Sequence, residues 1–84
     1  MPSNTLKVYP NPAYNHLVID NGNYIVMSSY SVKITNILGQ VVFTQTINQQ
    51  QFNIDISAWS AGNYTLSVLD LQQNVKVSKM IVVQ

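Results

Sequence analysis

Ser60-Ala61-Gly62-Asn63-Tyr64-Thr65-Leu66-Ser67-Val68-Leu69 is the stretch that decides the fold. From Tyr64 onward, apolar Tyr64, Leu66 and Val68 alternate with Thr65 and Ser67, the period of two that buries one face of a strand. A small-residue corner precedes it, and a tyrosine opens it. That is the tyrosine-corner arrangement of immunoglobulin-like sandwiches, in which the hydroxyl bonds back to nearby backbone. Where antibody domains place a cysteine two residues later, this chain has Leu66, and it contains no cysteine at all. The expectation is a sandwich without a disulfide.

Working outward, the rest of the chain reads in the same period. Phe52, Ile54 and Ile56 alternate with Asn53 and Asp55 on the N-terminal side of the corner. Tyr30 to Ile37 alternates with Val32 and Ile34 on one face, and Leu38-Gly39-Gln40 turns the chain into Val41 to Ile47, which predicts a hairpin. Asn48 to Gln51 is a polar connector. On the C-terminal side, Gln72-Gln73-Asn74 turns into a last strand, Val75 to Val83. Nearer the start, Leu6 to Tyr9 and His16 to Asp20 are strand candidates, Asn21-Gly22 a tight turn, and Tyr24 to Met27 a short edge segment. Pro10 and Pro12 fix φ and withhold their amides, so pairing must break at Tyr9-Pro10-Asn11-Pro12. No window carries a three-turn helical stripe. The reading is an all-β, immunoglobulin-like antiparallel β-sandwich of about seven strands.

Composition narrows function. Eighty-four residues make one small domain, read as residues 6–84 preceded by residues 1–5 as a linker remnant or added start, with apolar packing alone to offset chain entropy. Charged residues are 8% of the chain against about 25% in ordinary domains, and the net charge is +1. No basic face exists to neutralise several phosphates, which argues against nucleic acid. No apolar run approaches a membrane span, and the first residues lack the basic and apolar regions of an export signal.

Catalytic chemistry finds little to use. The acids are Asp20, Asp55 and Asp70, each beside a strand end or turn where a carboxylate accepts backbone hydrogen bonds, and His16 is the lone histidine. No nucleophile-base pair or metal-ligand spacing emerges, so no catalytic residue, metal or cofactor is assigned. Asp20-Asn21-Gly22-Asn23 lacks the later acid of a calcium loop. Trp59 with Tyr14, Tyr24 and Tyr30 could stack on sugar rings, which makes a carbohydrate-binding or adhesive module the rival function. The plainer role for Trp59 is to cap one end of the core.

Four motifs remain, in order along nearly the whole chain: Tyr9-Pro10-Asn11-Pro12, Leu38-Gly39-Gln40-Val41-Val42, Gly62-Asn63-Tyr64 and Lys79-Met80-Ile81-Val82-Val83. Together they resemble the type A C-terminal sorting domain of the type IX, or Por, secretion system of Bacteroidetes. The resemblance implies a secretion signal, not an enzyme. It implies that an upstream passenger, covalently joined, crosses periplasm and outer membrane through the type IX translocon and is secreted or held at the cell surface. It further implies that a sortase-like protease removes the domain and attaches the passenger to lipopolysaccharide. Under it, Tyr9, Pro10, Asn11, Pro12, Gly39, Gly62 and Tyr64 shape the fold. Lys76, Lys79, Met80, Ile81, Val82 and Val83 form the recognition strand, with Lys79 giving a partner a charge to orient on and the strand offering an edge for β-augmentation. Position 78 is Ser, where the family often has a second basic residue.

Overall fold

The computed structural model describes residues 6–21 and 30–84. The strand candidate at Tyr24 to Met27 and the linker at 1–5 lie outside the described residues. Seven strands are described: β1 (Lys7–Tyr9), β2 (His16–Asp20), β3 (Ser31–Thr35), β4 (Val41–Thr46), β5 (Gln51–Asp55), β6 (Gly62–Leu69) and β7 (Val75–Val83). They form an antiparallel three-stranded sheet, β1-β2-β5, and an antiparallel four-stranded sheet, β4-β3-β6-β7.

The core between the sheets comes from the alternation. Leu17 and Ile19 of β2, with Phe52 and Ile54 of β5, face Val32 and Ile34 of β3, Tyr64, Leu66 and Val68 of β6, and Val77, Ile81 and Val83 of β7. Ile47 and Ile56, just past β4 and β5, are fully enclosed as well. Outward positions carry Ser, Thr, Asn and Gln, with scattered charges at Lys7, Lys33, Asp55 and Lys76. Burying aliphatic side chains of this size stabilises the fold by about 1.5 to 3 kcal/mol each relative to exposure, and this offsets chain entropy without disulfides.

The prolines make a sheet switch. Val8 and Tyr9 pair with Ile19 and Val18 in the three-stranded sheet. Four residues on, Ala13 lies parallel to Val83 in the other sheet, donating to the Val82 carbonyl (2.8 Å) and accepting from the Gln84 amide (2.8 Å). A chain that crosses between layers must drop its ladder bonds, and prolines, which cannot donate, fit that crossing. Both X–Pro bonds, Tyr9–Pro10 and Asn11–Pro12, are cis.

Two hairpins share one turn design. In the β3–β4 turn the Asn36 amide donates to the Gln40 carbonyl (3.0 Å) and the Gly39 amide to the Asn36 carbonyl (3.0 Å). Asn36 Oδ1 accepts from the Leu38 and Gln40 amides. In the β6–β7 turn Asp70 bonds Asn74 and Gln73 in the same backbone pattern, and Asp70 Oδ1 accepts from the Gln72 and Asn74 amides. The fourth residue of each turn takes positive φ, +82° at Gly39 and +66° at Gln73.

Candidate functional site: the end of the sandwich where the chain finishes

β6 begins and β7 ends at the same pole, since Gly62 pairs with Val83. The chain enters at the opposite pole, where Lys7 pairs with Asp20, and the longest dimension of the molecule is 32 Å. Three features meet at the finishing pole.

The first is the tyrosine corner. Tyr64, buried at the start of β6, donates its hydroxyl to the Ser60 carbonyl at 2.6 Å. Trp59 packs against the core and tilts over Tyr64, with ring centroids 5.1 Å apart. Of the aromatics expected to form a sugar platform, Trp59 and Tyr30 lie at opposite poles. Trp59 is turned toward the core, Tyr30 packs on the core at the other pole, Tyr14 is exposed, and Tyr24 lies outside the described residues. A groove of about 540 Å³ runs beside Trp59, with Ile37, Leu38 and Val42 on its other wall.

The second is a clip across the tail. Asn11 Nδ2 donates to the Met80 carbonyl (3.1 Å), and its Oδ1 accepts from the Val82 amide (3.1 Å). The Asn11 side-chain amide thus bonds β7 as a neighbouring strand would. With the Ala13 bonds, it covers the outer edge of β7 from Met80 to Gln84. The first and last motifs of the sequence are one structural unit. The edge expected to serve β-augmentation is bonded within the domain at Met80, Val82 and Gln84.

The third is the division of labour within the recognition strand. Ile81 and Val83 are buried core residues, so in the folded domain they anchor the strand and do not face a partner; Met80 projects outward, 58% exposed. Lys76 is exposed and pairs with Asp70 at 3.6 Å, a surface contact worth little. Lys79, expected to give a partner a charge to orient on, is less exposed than Lys76. It stands opposite Leu66, in the inward row between Val77 and Ile81, and is half-buried. A lysine turned inward on an edge strand discourages pairing with other chains.

His16, Asp55 and Ser57 border a shallow depression together with Asn15, Asn53 and Ile54. They form no relay. Asp55 Oδ1 accepts from the Ser57 amide (2.9 Å), and His16 Nδ1 lies 3.0 Å from Asn15 Oδ1. Hydrogen bonds to Ser57, through its side chain and then its backbone, hold the Asp55 carboxyl below the ordinary carboxylate range. The Asp70 carboxyl is also lowered, chiefly by the Asn74 amide, with the Gln72 amide, the Asn74 side chain and Lys76 adding to it against a smaller desolvation. Asp20 accepts from the side-chain amides of Gln50 (3.4 Å) and Gln51 (3.0 Å). Among the described residues no group of three His, Cys, Asp or Glu could hold a metal ion.

Sequence reasoning read Asn21 as part of a tight turn with Gly22, which lies outside the described residues. Asn21 is fully buried, and its Nδ2 donates to the carbonyls of Gln49 (3.1 Å) and Gln50 (3.0 Å), tying the end of β2 to the connector before β5.

The geometry defines an immunoglobulin-like sandwich whose tail is fastened by its own leading segment. Solved structures agree on the fold. A Bacteroides vulgatus protein of the DUF3244 family, described as an immunoglobulin-like β-sandwich, superposes with a TM-score of 0.72 at 17% identity, over 93% of this chain and 83% of its own. PorZ, a surface component of the type IX secretion system of Porphyromonas gingivalis, superposes with a TM-score of 0.76 at 20% identity over 96% of this chain and 12% of its own. In sequence, the chain is 34% identical over 76 residues to an ulvan lyase, NLR42, of Nonlabens ulvanivorans; the match covers 89% of this chain and 14% of that protein. The model of the secretion system C-terminal sorting domain matches residues 7–84. The chain belongs to that family, the sorting signals of type IX secretion. Membership implies engagement with secretion machinery, a passenger, and export across the outer membrane to the surface or the medium.

Proposed function

We propose that the domain is read as a folded end: the surface made by Tyr9 to Tyr14 lying across Met80 to Gln84 is what the translocon recognises, and an upstream passenger, attached through residues 1–5, follows it out. The observation that carries this reading is the Asn11 clip, which joins the two most distant family motifs. Met80 supplies an outward contact at that surface and Lys76 a second one at the far end of β7, beside the β6–β7 turn; Ile81 and Val83 hold the strand down, and Lys79 keeps the edge free of wrong partners. The domain serves as an address and not as a catalyst. The passenger is then released or joined to lipopolysaccharide by a sortase-like protease, consistent with the family resemblance of the motifs.

The test is export of a fluorescent reporter carrying an export signal and residues 1–84 at its end, in a type IX-competent host and in a translocon-deficient strain. We expect surface or medium fluorescence only in the competent host. Removing residues 80–84 abolishes export. Asn11→Ala, which removes the side-chain clip and keeps the tail sequence and the Ala13 backbone bonds, reduces export severalfold. Normal export of Asn11→Ala would mean that the side-chain clip is not part of what is read. Periplasmic retention of the intact fusion would instead favour a glycan-binding module.

A further inference from the structure

Among the described residues the two sheets have four edge strands, β1 and β5 in one, β4 and β7 in the other. An open edge is a template for pairing with another chain unless charge, proline, shortness or a cover blunts it. β1 is three residues long, carries Lys7 and runs into Pro10 and Pro12. β5 ends on Asp55. β7 carries Lys76, turns Lys79 inward and has its second half clipped by residues 11–13. Among the described residues β4 has none of these; its one irregularity is a register shift at Val42, between the pairs Ile34–Phe43 and Thr35–Val41, which leaves Phe43 to Thr46 as the regular edge. Val41-Val42-Phe43-Thr44-Gln45-Thr46 contains no charge and no proline, and β-branched or aromatic residues fill five of its six positions.

Its backbone is presented outward. The Ile47 amide donates to the Tyr30 carbonyl at 2.9 Å. By the alternation of an antiparallel ladder, Gln45 and Phe43 also bond inward to β3, leaving the N–H and C=O of Thr44 and Thr46 pointing away from the sheet. At one end Val41 and Val42 are exposed, and the adjoining turn projects Ile37 and Leu38, 79% and 78% exposed. The nearest charge is Lys33, one strand in, opposite Thr44.

We infer that β4 is a self-association edge, pairing antiparallel with β4 of a second copy about a two-fold axis and joining two four-stranded sheets into one continuous sheet. A two-fold antiparallel pair sets a strand against its own reversed sequence, which suits an uncharged strand and penalises a charged one. The net charge of +1 offers little repulsion between copies. With the other three edges blunted, addition stops at two. One strand and its apolar flank make a small contact, so the dimer is weak, with a dissociation constant of about 10 μM to 1 mM. The pairing does not depend on the sorting reading.

Sedimentation velocity on the 84-residue chain tests it, from about 10 μM to 1 mM, the range bracketing that constant. The expected result is a monomer that shifts to a dimer with concentration. Thr44→Lys, exposed on the edge, should weaken association about tenfold or more while circular dichroism reports an intact fold. Gln72→Lys, which adds the same charge in the β6–β7 turn, should leave it unchanged. Amide exchange at Thr44 and Thr46 should slow as the dimer forms. A monomer across the whole range would overturn the inference, as would equal weakening by the two lysines, or association that is lost on Ser78→Lys in β7 and kept in Thr44→Lys.

Discussion

At the residue scale, Tyr64 shows how a single side chain serves local and global structure together. Its ring lies in the core under Trp59, and its hydroxyl satisfies the carbonyl of Ser60, which the corner withholds from any ladder. Tyr64→Phe keeps the ring and orphans the carbonyl, so it should lower unfolding free energy by about 1 to 3 kcal/mol. Chemical denaturation measures it, and an unchanged midpoint would mean that water replaces the hydroxyl. This role was legible in advance, because the corner and the alternation that follows it adjoin in sequence. The setting of Lys79 was legible too. Val77, Lys79, Ile81 and Val83 fall in one period-two row whose other members are core residues, but the charge drew attention to partners before phase. The polar clip at Asn11 was not legible: its bonds lie 69 and 71 residues away, and no local pattern announces a partner at that distance.

At the element scale, the two five-residue turns form a natural pair for comparison. Both put their fourth residue in the left-handed region, but Gly39 does so without a Cβ, whereas Gln73 pays the usual steric cost of about 1 kcal/mol. Substitutions should therefore act with opposite sign. Gln73→Gly should stabilise by about 0.5 to 1 kcal/mol, and Gly39→Ala should destabilise by about 1 kcal/mol through backbone strain alone, since a Cβ at Gly39 would meet no atom within 4 Å. Thermal melts of the two variants against the parent decide it, and the same sign in both would break the equivalence. The glycine turn was readable from Leu38-Gly39-Gln40. Its twin was placed only as a polar turn, because Gln73 gives no sign of positive φ; the shared signal is the Asn or Asp three residues before it, whose side chain caps the amides.

At the scale of the whole molecule, strands and their inward faces followed from alternation, and β2 and β7 have the expected bounds. The sheet order did not follow, since strand neighbours are chosen by non-local contacts and by the crossing at the prolines. Electrostatics act on the molecule as a whole through only a few groups. Both Asp55 and Asp70 have carboxyls lowered in the folded state by hydrogen bonds that the unfolded chain lacks. Their contribution to stability is full above the ordinary carboxylate value, about pH 4, and is lost as pH falls through the lowered folded values. The melting temperature should fall on acidification below about pH 4. Asp70→Asn, which recreates the Asn36 turn without an ionisable group, should flatten part of that fall. An identical acid profile for the variant would place the dependence elsewhere.

The distance between Asn11 and its partners also sets an order in time. The clip needs both ends of the domain, and no intermediate length of chain contains it: a polypeptide that has emerged through β6 holds Asn11 and Ala13 with nothing to bind. If the clipped end is what the exporter reads, the address comes into being only when the last strand has been made and folded back on residues 11–13. A chain broken off before β7 then carries no clip, so the same few hydrogen bonds that fasten the strand also report that residues 80–84 are present and folded.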